Sequence, residues 1–321
     1  MTSLAQVTAL VDAHVQRDNA RFRAVTLQIA ANLSSRSERG ADQLRKLVEH
    51  QPSQSFVPLP SANGLLSAPP ELSLLDDMVV AQVIRERLDR VVLEYGQRDV
   101  LFVHRLRPAR KLLFTGPPGV GKTMAAGGLA RAVDLPMFRV ELHGAIGSHL
   151  GETASKLSKV FEHVAAMPAV YLFDEFDAIG ADRGTNDGSS AGAEMRRVVN
   201  SLLQFIEDDR SESMIVAATN HAHVLDRAMF RRFDEVINFA PPSKTEVSEL
   251  VRRTLVSVDI DQLDLDAICT AAAAAKLGHA EVCVALERAL KDNVLAGSLI
   301  DTARLIDGLA QRARFDEGAC S

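Results

Sequence analysis

A glycine-rich stretch over residues 114–128, FTGPPGVGKTMAAGG, has residue types and spacing that could bind the phosphates of a nucleotide. Its main-chain N–H groups would surround the phosphates, Lys122 would reach the outer ones, and the Thr123 hydroxyl would hold Mg²⁺. The alternative is a Gly/Pro turn that joins two core elements and binds nothing. The residues that fit G-x-x-x-x-G-K-[ST], and that we expect to bind ATP, are Gly116, Pro117, Pro118, Gly119, Val120, Gly121, Lys122 and Thr123.

A pair of acids follows an apolar run in AVYLFDEFDAIGADR, residues 169–183. Asp174 would hold Mg²⁺ together with Thr123, and Glu175 would orient and deprotonate the attacking water. A second acid beside the metal ligand predicts hydrolysis, because binding alone does not need it. Taken by itself, the pair also fits a strand that ends in a solvated acidic turn, but the glycine-rich loop upstream argues against that interpretation.

These motifs require a scaffold. The sequence provides one from residue 72 to about residue 242, where short apolar runs alternate with helical patterns. Runs that are apolar throughout indicate strands buried on both faces, so we predict the α/β class, with a parallel sheet and helices on either side. MAAGGLARAV, residues 124–133, predicts a helix that begins at the glycine-rich loop. The strand candidates are KLLFTG (111–116), MFRVEL (137–142), AVYLFD (169–174), MIVAAT (214–219) and EVINFA (235–240).

The rest of the chain divides into helical and linker segments around this core. Apolar residues at helical spacing predict a helical N-terminal segment over residues 1–50. QPSQSFVPLPSANGLLSAPPE predicts a Pro/Ser-rich linker over 51–71, before the large domain at 72–242. Ser243 and Glu246 have capping-box spacing, and the helical pattern after them predicts a small α-helical lid domain at 243–321.

Composition disfavours several classes of protein. The net charge of −6 over 321 residues gives no general attraction to nucleic acid, so we regard nucleic acid as an unlikely partner. No run of about 18 apolar residues and no signal-type apolar start is present, so we expect a cytoplasmic protein with no membrane partner. Cys269, Cys283 and Cys320 lack C-x-x-C spacing, which argues against a zinc site or a disulfide framework.

The stretch MIVAATNHAHVLDRAMFRRFDEVINFAPP, residues 214–242, resembles the AAA ATPase family of the AAA+ superfamily. By that resemblance, the core is a parallel-sheet P-loop domain followed by the helical lid, and Asn220 is sensor 1, which helps to place the water. Arg231 and Arg232 match the arginine fingers that reach the site of the adjacent subunit. Many members have a Pro-Gly insertion between two arginines, whereas these are adjacent, so the sequence leaves open which one points at phosphate. Alternatively, both arginines pair with Asp226, Asp234 or Glu235.

Three further stretches carry the resemblance. LGHAEVCVALERAL, residues 277–290, is similar to the family's SGADI helix start, with Ala280 at the small position that is expected to contact ATP. SHLGE, residues 148–152, aligns with the first pore loop, which places His149, Leu150 and Gly151 in the channel of a hexamer. Because histidine is smaller and more polar than the usual aromatic residue, a surface loop with no gripping role is the alternative. Arg196 and Arg197 fall at intersubunit positions of the family or, equally, on a solvated helix face.

The resemblance implies an ATP hydrolase with Mg²⁺ as cofactor, which forms a homo-oligomer, expected to be a ring hexamer, and remodels or translocates a protein client like a chaperone. The chain is also similar to small bacterial AAA proteins with a short helical leader, some encoded beside subtilisin-like proteases, so such a protease is a candidate partner. One alternative is a nucleotide-dependent regulatory switch that controls a protease or another effector. A nucleic-acid-linked ATPase is a less favoured alternative, because of the charge.

Overall fold

The computed structural model describes residues 65–68, 72–142, 150–179, 190–225, 227–255, 263–296 and 301–319, together with Thr8, Val25, Thr26 and Ile29. Chain contacts divide the protein into two compact units, Met1–Pro58 and Leu59–Ser321. In the first unit, the described residues are helical. The remainder of the predicted N-terminal helical segment lies outside the described residues.

A six-stranded sheet lies at the centre of the second unit. Its strands are β1 (Leu66–Ser67), β2 (Lys111–Thr115), β3 (Met137–Val140), β4 (Val170–Phe173), β5 (Met214–Thr219) and β6 (Glu235–Asn238). Their order is β1-β3-β4-β5-β2-β6, and every adjacent pair except β1 and β3 is parallel. All the apolar runs predicted as strands are confirmed, and the α/β class with a mostly parallel sheet is confirmed with them.

Strand β1 lies inside the range that the sequence predicts as a linker. Leu65 and Leu66 are buried, and the Leu65 carbonyl accepts a hydrogen bond of 2.8 Å from the Glu141 N–H. The strand pairs antiparallel with β3 at the edge of the sheet. A strand of two residues carries no periodic pattern, so only its pairing partner makes it recognisable.

Helices cover both faces of the sheet. They are α1 (Gln82–Gly96), α2 (Arg98–Val103), α3 (Lys122–Ala132), α4 (Leu150–Ala166), α5 (Ser190–Asp208) and α6 (Arg227–Phe230). Alternate strand residues enter two separate apolar clusters: in β2, Leu113 joins the cluster that contains α4 and α5, while Leu112 and Phe114 join the cluster that contains α1 and α3. This alternation buries the strands on both faces and explains their continuous apolar runs.

The C-terminal part is helical and has a core of its own. Its helices are α7 (Lys244–Thr254), α8 (Leu265–Ala274), α9 (His279–Ala296) and α10 (Thr302–Ala319). The predicted capping box at the start of α7 is confirmed, since the Ser243 N–H donates to Glu246 Oε2 at 2.7 Å and the Glu246 N–H donates to Ser243 Oγ at 3.4 Å. Among the described helices, none combines the length and the apolar character needed to cross a membrane.

Candidate nucleotide site

The glycine-rich loop joins the carboxyl end of β2 to the first turn of α3. Gly121 has φ +95° and directly precedes the helix, a backbone region that glycine adopts with little cost. Gly116 has φ +141°, and a Cβ there would lie 2.0 Å from the Phe239 carbonyl oxygen, so no larger residue fits. The sequence therefore folds into a loop that leads into the amino end of α3, and the main-chain N–H groups of a helix amino end are a suitable place for phosphate.

Lys122 connects this loop to the tip of strand β5. Its Nζ donates to the carbonyl oxygens of Gly116 and Pro117, each at 2.7 Å, and to Asn220 Oδ1 at 2.8 Å. Burial lowers the pKa of Lys122, while the carboxylates of Asp174 and Asp177 oppose that shift by favouring the charged ammonium. The fold thus brings together the predicted phosphate lysine and the predicted sensor amide.

The predicted metal ligands lie side by side. Thr123 Oγ1 donates to Asp174 Oδ2 over 3.3 Å, and Arg139 Nη2 on β3 lies 3.3 Å from the same carboxylate oxygen. A hydroxyl and a carboxylate are oxygen ligands of the kind that Mg²⁺ prefers, and Mg²⁺ in such sites is usually completed by substrate phosphates. The residues present therefore fit a magnesium ion bound together with ATP.

Glu175 follows Asp174 at the end of β4 and has an unusual backbone. Its φ is +52°, a left-handed conformation that costs a residue with a side chain about 1–2 kcal/mol. Its N–H donates to Asp174 Oδ1 at 3.0 Å, and the residue is exposed. Strained backbone of this kind is common at active sites, where it fixes a functional side chain. Here it places a carboxylate beside the predicted metal ligands and exposed to solvent.

A third carboxylate, Asp177, organises the β5 tip and was missed by sequence reasoning, which used only the two acids before it. Asp177 lies in the short 3₁₀ turn Phe176–Ile179. Its Oδ1 accepts hydrogen bonds from Thr219 Oγ1 at 2.9 Å and from the Asn220 N–H at 3.2 Å, and its Oδ2 lies 3.9 Å from His221 Nε2. The signal in the sequence is the D-E-x-D spacing, which marks a third acid three residues after Asp174 but does not reveal its partners.

The C-terminal helices contact the glycine-rich loop directly. The Ala280 N–H donates to the Gly119 carbonyl oxygen at 2.9 Å. A Cβ on Gly278 would lie 2.9 Å from the Pro118 carbonyl oxygen, so the two backbones touch. Glu281 Oε2 accepts a 2.7 Å hydrogen bond from the Gly278 N–H, which fixes the start of α9. Ala280 therefore lies against the loop that is predicted to bind ATP, and its own contact with ATP stays a prediction.

His279 lies beside this contact and is largely buried. Both ring nitrogens are buried, and His279 Nε2 is 3.9 Å from Glu246 Oε1. Burial lowers the pKa of His279, although the Glu246 carboxylate opposes the shift. Because Glu246 also belongs to the capping box of α7, the His279 ring lies between α7 and the start of α9.

The two adjacent arginines have different surroundings. Arg232 donates to the Glu207 carboxylate and, at 3.4 Å, to the Leu203 carbonyl oxygen, both on α5 of the same chain. Arg231 is exposed. Two of the carboxylates considered as alternative partners are held by other donors: Asp234 accepts the N–H groups of Arg110 and Lys111, and Glu235 pairs with Arg87. Asp226 lies outside the described residues. Sequence reasoning did not identify Glu207, because the contact joins distant segments.

The predicted pore loop is only partly placed. His149 lies outside the described residues, and Leu150 and Gly151 form the first turn of α4. Arg196 and Arg197 lie on α5. The roles predicted for these residues therefore stay predictions.

Comparison with known proteins identifies the family. Residues 112–241 match the family described as "ATPase family associated with various cellular activities (AAA)". A protein described as an uncharacterized AAA family ATPase, y4kL, of Sinorhizobium fredii is 37% identical over 251 residues, which are 74% of this chain and 75% of the relative.

A second relative and a solved structure agree with that match. A putative 26S proteasome regulatory subunit homolog of Methanothermobacter marburgensis is 32% identical over 193 residues; the match covers 59% of this chain and about half (49%) of the relative. The crystal structure of the FIGL-1 AAA domain matches with a TM-score of 0.58 at 21% identity, over 78% of this chain and 86% of that chain, and supports the fold alone. This chain belongs to the AAA family of ATPases.

Proposed function

We propose that this protein hydrolyses ATP to ADP and phosphate with Mg²⁺, in a ring of identical subunits that acts on a protein client. The observation that carries the catalytic part is the hydrogen bond of 2.8 Å between Lys122 Nζ and Asn220 Oδ1. It joins the phosphate loop to the predicted sensor, and Asp174 and Glu175 lie at the end of the neighbouring strand β4. Such convergence suits hydrolysis of a nucleotide better than binding alone.

Each group of this chain has a separate task in that reaction. The loop N–H groups and Lys122 bind the phosphates, and Thr123 and Asp174 hold Mg²⁺, which offsets phosphate charge when bound. Glu175 accepts the proton of the attacking water. Asn220 orients that water through its amide, and its position is fixed by Lys122 on one side and Asp177 on the other.

The surroundings of the two arginines support the ring proposal. Arg232 is engaged with Glu207 in its own chain, whereas Arg231 is exposed and available to a neighbouring subunit. We therefore assign the arginine finger to Arg231. A finger supplied by a neighbour contributes about 10³ to 10⁵ in rate, so an isolated subunit would be nearly inactive.

A protein client is favoured over nucleic acid by the net charge of −6 and by the relative whose name refers to the 26S proteasome. His149, Leu150 and Gly151 are the residues that would contact the client. His149→Ala should then leave ATP hydrolysis intact and stop client processing. Equal loss of both activities, or loss of neither, would argue against this role.

The catalytic proposal is tested with three variants. Glu175→Gln should bind ATP but hydrolyse it about 10² to 10⁴ times more slowly, because the proton acceptor is lost. Lys122→Ala should lose ATP binding, and the exposed Glu212→Gln should behave as the unmodified protein. Nucleotide binding and phosphate release are measured for each. Normal turnover by Glu175→Gln would place the proton acceptor elsewhere.

The client proposal is tested with the same slow variant. Glu175→Gln purified with ATP from its native cells should retain a specific protein that Lys122→Ala does not retain, identified by mass spectrometry. A serine protease among the retained proteins, together with partner binding that is lost when residues 1–50 are deleted, would favour the regulatory switch over remodelling. Nuclease-sensitive material would contradict the protein client.

A further inference from the structure

Helix α2 and its flanks expose an unusual number of large apolar side chains. No residue of α2 is buried, and Val103 is 80% exposed. Such side chains in one short stretch of chain are typical of an interaction surface, whereas single exposed ones are ordinary. We define the α2 surface by these exposed residues: Leu93, Val100, Phe102, Val103 and Leu106.

A basic cleft adjoins the α2 surface. It has a volume of about 580 Å³ and lies at the amino ends of β2 and β6, so it is at the opposite end of these strands from the glycine-rich loop. Leu106 is followed directly by Arg107 in its wall, and Leu93 lies on α1 between the lining residues Arg90 and Glu94. The charged residues of the lining are Arg87, Arg90, Arg107, Arg110, Lys111 and Arg210 on the basic side, and Glu94, Asp234 and Glu235 on the acidic side.

The acids of the cleft are already engaged by donors of the protein. Glu94 accepts from Arg90 Nε and from the Ala109 N–H, both at 2.9 Å. Asp234 Oδ2 accepts two main-chain N–H groups, and Glu235 pairs with Arg87 at 2.8 Å.

The basic side chains outnumber these acids, although Arg87 and Arg90 are the partners of Glu235 and Glu94, and the buried Arg110 pairs with Asp209. Arg90 has 78% of its side chain exposed, and Arg107 and Arg210 are exposed as well. The cleft is therefore positive on a protein whose net charge is −6.

We propose that the α2 surface and the basic cleft together bind an acidic, amphipathic segment of a partner protein. The apolar side chains would pack on those of α2, and the carboxylates would enter the cleft beside Arg90, Arg107 and Arg210. Opposite charge would set the orientation and speed of binding, while apolar contact would supply affinity. The proposal goes beyond ATP hydrolysis, since the cleft is at the other end of the sheet strands.

Three other candidate occupants of the α2 surface and the cleft fit this chemistry less well: the N-terminal unit, nucleic acid and a membrane. The N-terminal unit, 1–58, carries more basic than acidic residues, so its charge has the same sign as that of the cleft. Phe102 is the single aromatic residue of the α2 surface, whereas strands of nucleic acid are bound by several stacked aromatic faces. A concave cleft suits an inserted peptide better than a flat membrane. The charged residues of that unit are Arg17, Arg21, Arg23, Arg36, Arg39, Arg45 and Lys46 against Asp12, Asp18, Glu38, Asp42 and Glu49.

The first test uses the full chain and a phage-displayed library of random peptides. Peptides rich in Asp and Glu with large apolar residues should be enriched. A fluorescein-labelled peptide from that selection should bind at least about tenfold more tightly than its copy with Lys for every acid, and binding should weaken as salt rises. Equal binding of both peptides, or failure to enrich acidic sequences, would overturn the proposal.

Variants then locate the binding site. Arg90→Glu with Arg107→Glu, and separately Val103→Ser with Leu106→Ser, should each weaken binding of the acidic peptide about tenfold or more while ATP hydrolysis is unchanged. Arg252→Glu, and Val294→Ser with Leu295→Ser, change equally exposed residues of the C-terminal helices and should leave binding unchanged. The milder Arg90→Gln with Arg107→Gln replaces the charge reversal if that variant does not fold.

Three results would contradict the assignment. The control variants could weaken binding of the acidic peptide as much as the α2 variants do. The α2 variants could abolish self-association of the protein, which would make this surface a contact between copies of the chain. The full chain could bind vesicles of anionic phospholipid with the same dependence on Arg90 and Arg107, which would make the partner a membrane.

Discussion

At the scale of single residues, the hydrogen bonds of Asp177 determine where the sensor amide lies. Asp177 Oδ1 holds both the Thr219 hydroxyl and the Asn220 N–H, and Asn220 in turn accepts from Lys122. None of these bonds requires Asp177 to touch the substrate. It is therefore a positioning residue, whose loss should misplace the amide that orients the water.

We expect Asp177→Ala to lower kcat for ATP hydrolysis about tenfold or more, because a misplaced reacting group costs rate steeply. ATP affinity should change little, since the loop and Lys122 remain. Asp177→Asn should keep most of the rate, because its amide oxygen can accept the same two hydrogen bonds. Steady-state kcat and KM, with ATP binding measured separately, provide the check. A loss of affinity in Asp177→Ala, or equal loss in both variants, would contradict a positioning role.

The sequence predicts site residues that belong to a local motif. It does not predict residues whose role depends on contacts between distant segments of the chain. Asp174 and Asn220 follow strands directly, and Lys122 ends the glycine-rich loop after β2, so all three could be placed from local motifs. Asp177 could not be assigned a role, because its partners Thr219 and Asn220 lie 42 and 43 residues away in the sequence. The same holds for Glu207, the partner of Arg232, which only the packing of α5 brings near.

At the scale of elements, hydrophobic runs predict the five parallel strands but not the short antiparallel strand β1. Strands β2 to β5 are buried on both faces, so their apolar runs are continuous, and β6 at the other edge places Val236 and Ile237 against the two clusters. β1 has two residues, and its identity depends on pairing with β3. The contact of α9 with the glycine-rich loop cannot be read from hydrophobic periodicity, because it joins segments that are far apart in the sequence; the family resemblance alone places Ala280 near the nucleotide.

The contact between α9 and the glycine-rich loop predicts that alanine substitutions at Gly278 and Gly308 have different effects. A Cβ at Gly278 would lie 2.9 Å from the Pro118 carbonyl oxygen and 3.1 Å from the Gly119 carbonyl carbon, so Gly278→Ala should push α9 away from the loop. We expect ATP affinity, measured by titration, to fall on the order of tenfold. The chain should still fold, because the strain falls at a boundary between clusters rather than within one.

Gly308→Ala is the matched control within the same helical part. Gly308 lies inside α10. A Cβ added there would have the Ala285 carbonyl oxygen as its nearest neighbour at 3.6 Å, which is an ordinary contact. This variant should bind ATP normally and gain about 0.5–1 kcal/mol in stability, because alanine suits a helix better than glycine. If both variants bind ATP alike, the contact of α9 with the loop does not control the nucleotide.

At the scale of the whole molecule, the proposed ring makes each active site a property of two chains. The nucleotide groups belong to one subunit and the exposed Arg231 to the next, so a head-to-tail arrangement must close for every site to be complete. A subunit with defective nucleotide-binding groups can then be complemented by a subunit that lacks the arginine. A monomeric enzyme has no such complementation.

We therefore expect a mixture of Lys122→Ala and Arg231→Ala subunits to hydrolyse ATP although each variant alone is nearly inactive. An Arg231→Ala subunit keeps its nucleotide site and can receive the arginine of a Lys122→Ala neighbour. In an equal mixture with random assembly, about one junction in four has both parts, so activity should approach a quarter of the unmodified level. Phosphate release is measured across mixing ratios.

Two control mixtures give this experiment its specificity. A double variant, Lys122→Ala with Arg231→Ala, should not restore activity to Lys122→Ala, because no intact nucleotide site is present. Arg232→Ala should behave differently from Arg231→Ala, since Arg232 is bound to Glu207 of its own chain and a neighbour cannot replace it. Its defect should be lower thermal stability that mixing does not repair. Recovery with Arg232→Ala and not with Arg231→Ala would reverse the assignment of the finger, and no recovery with either would contradict the shared site.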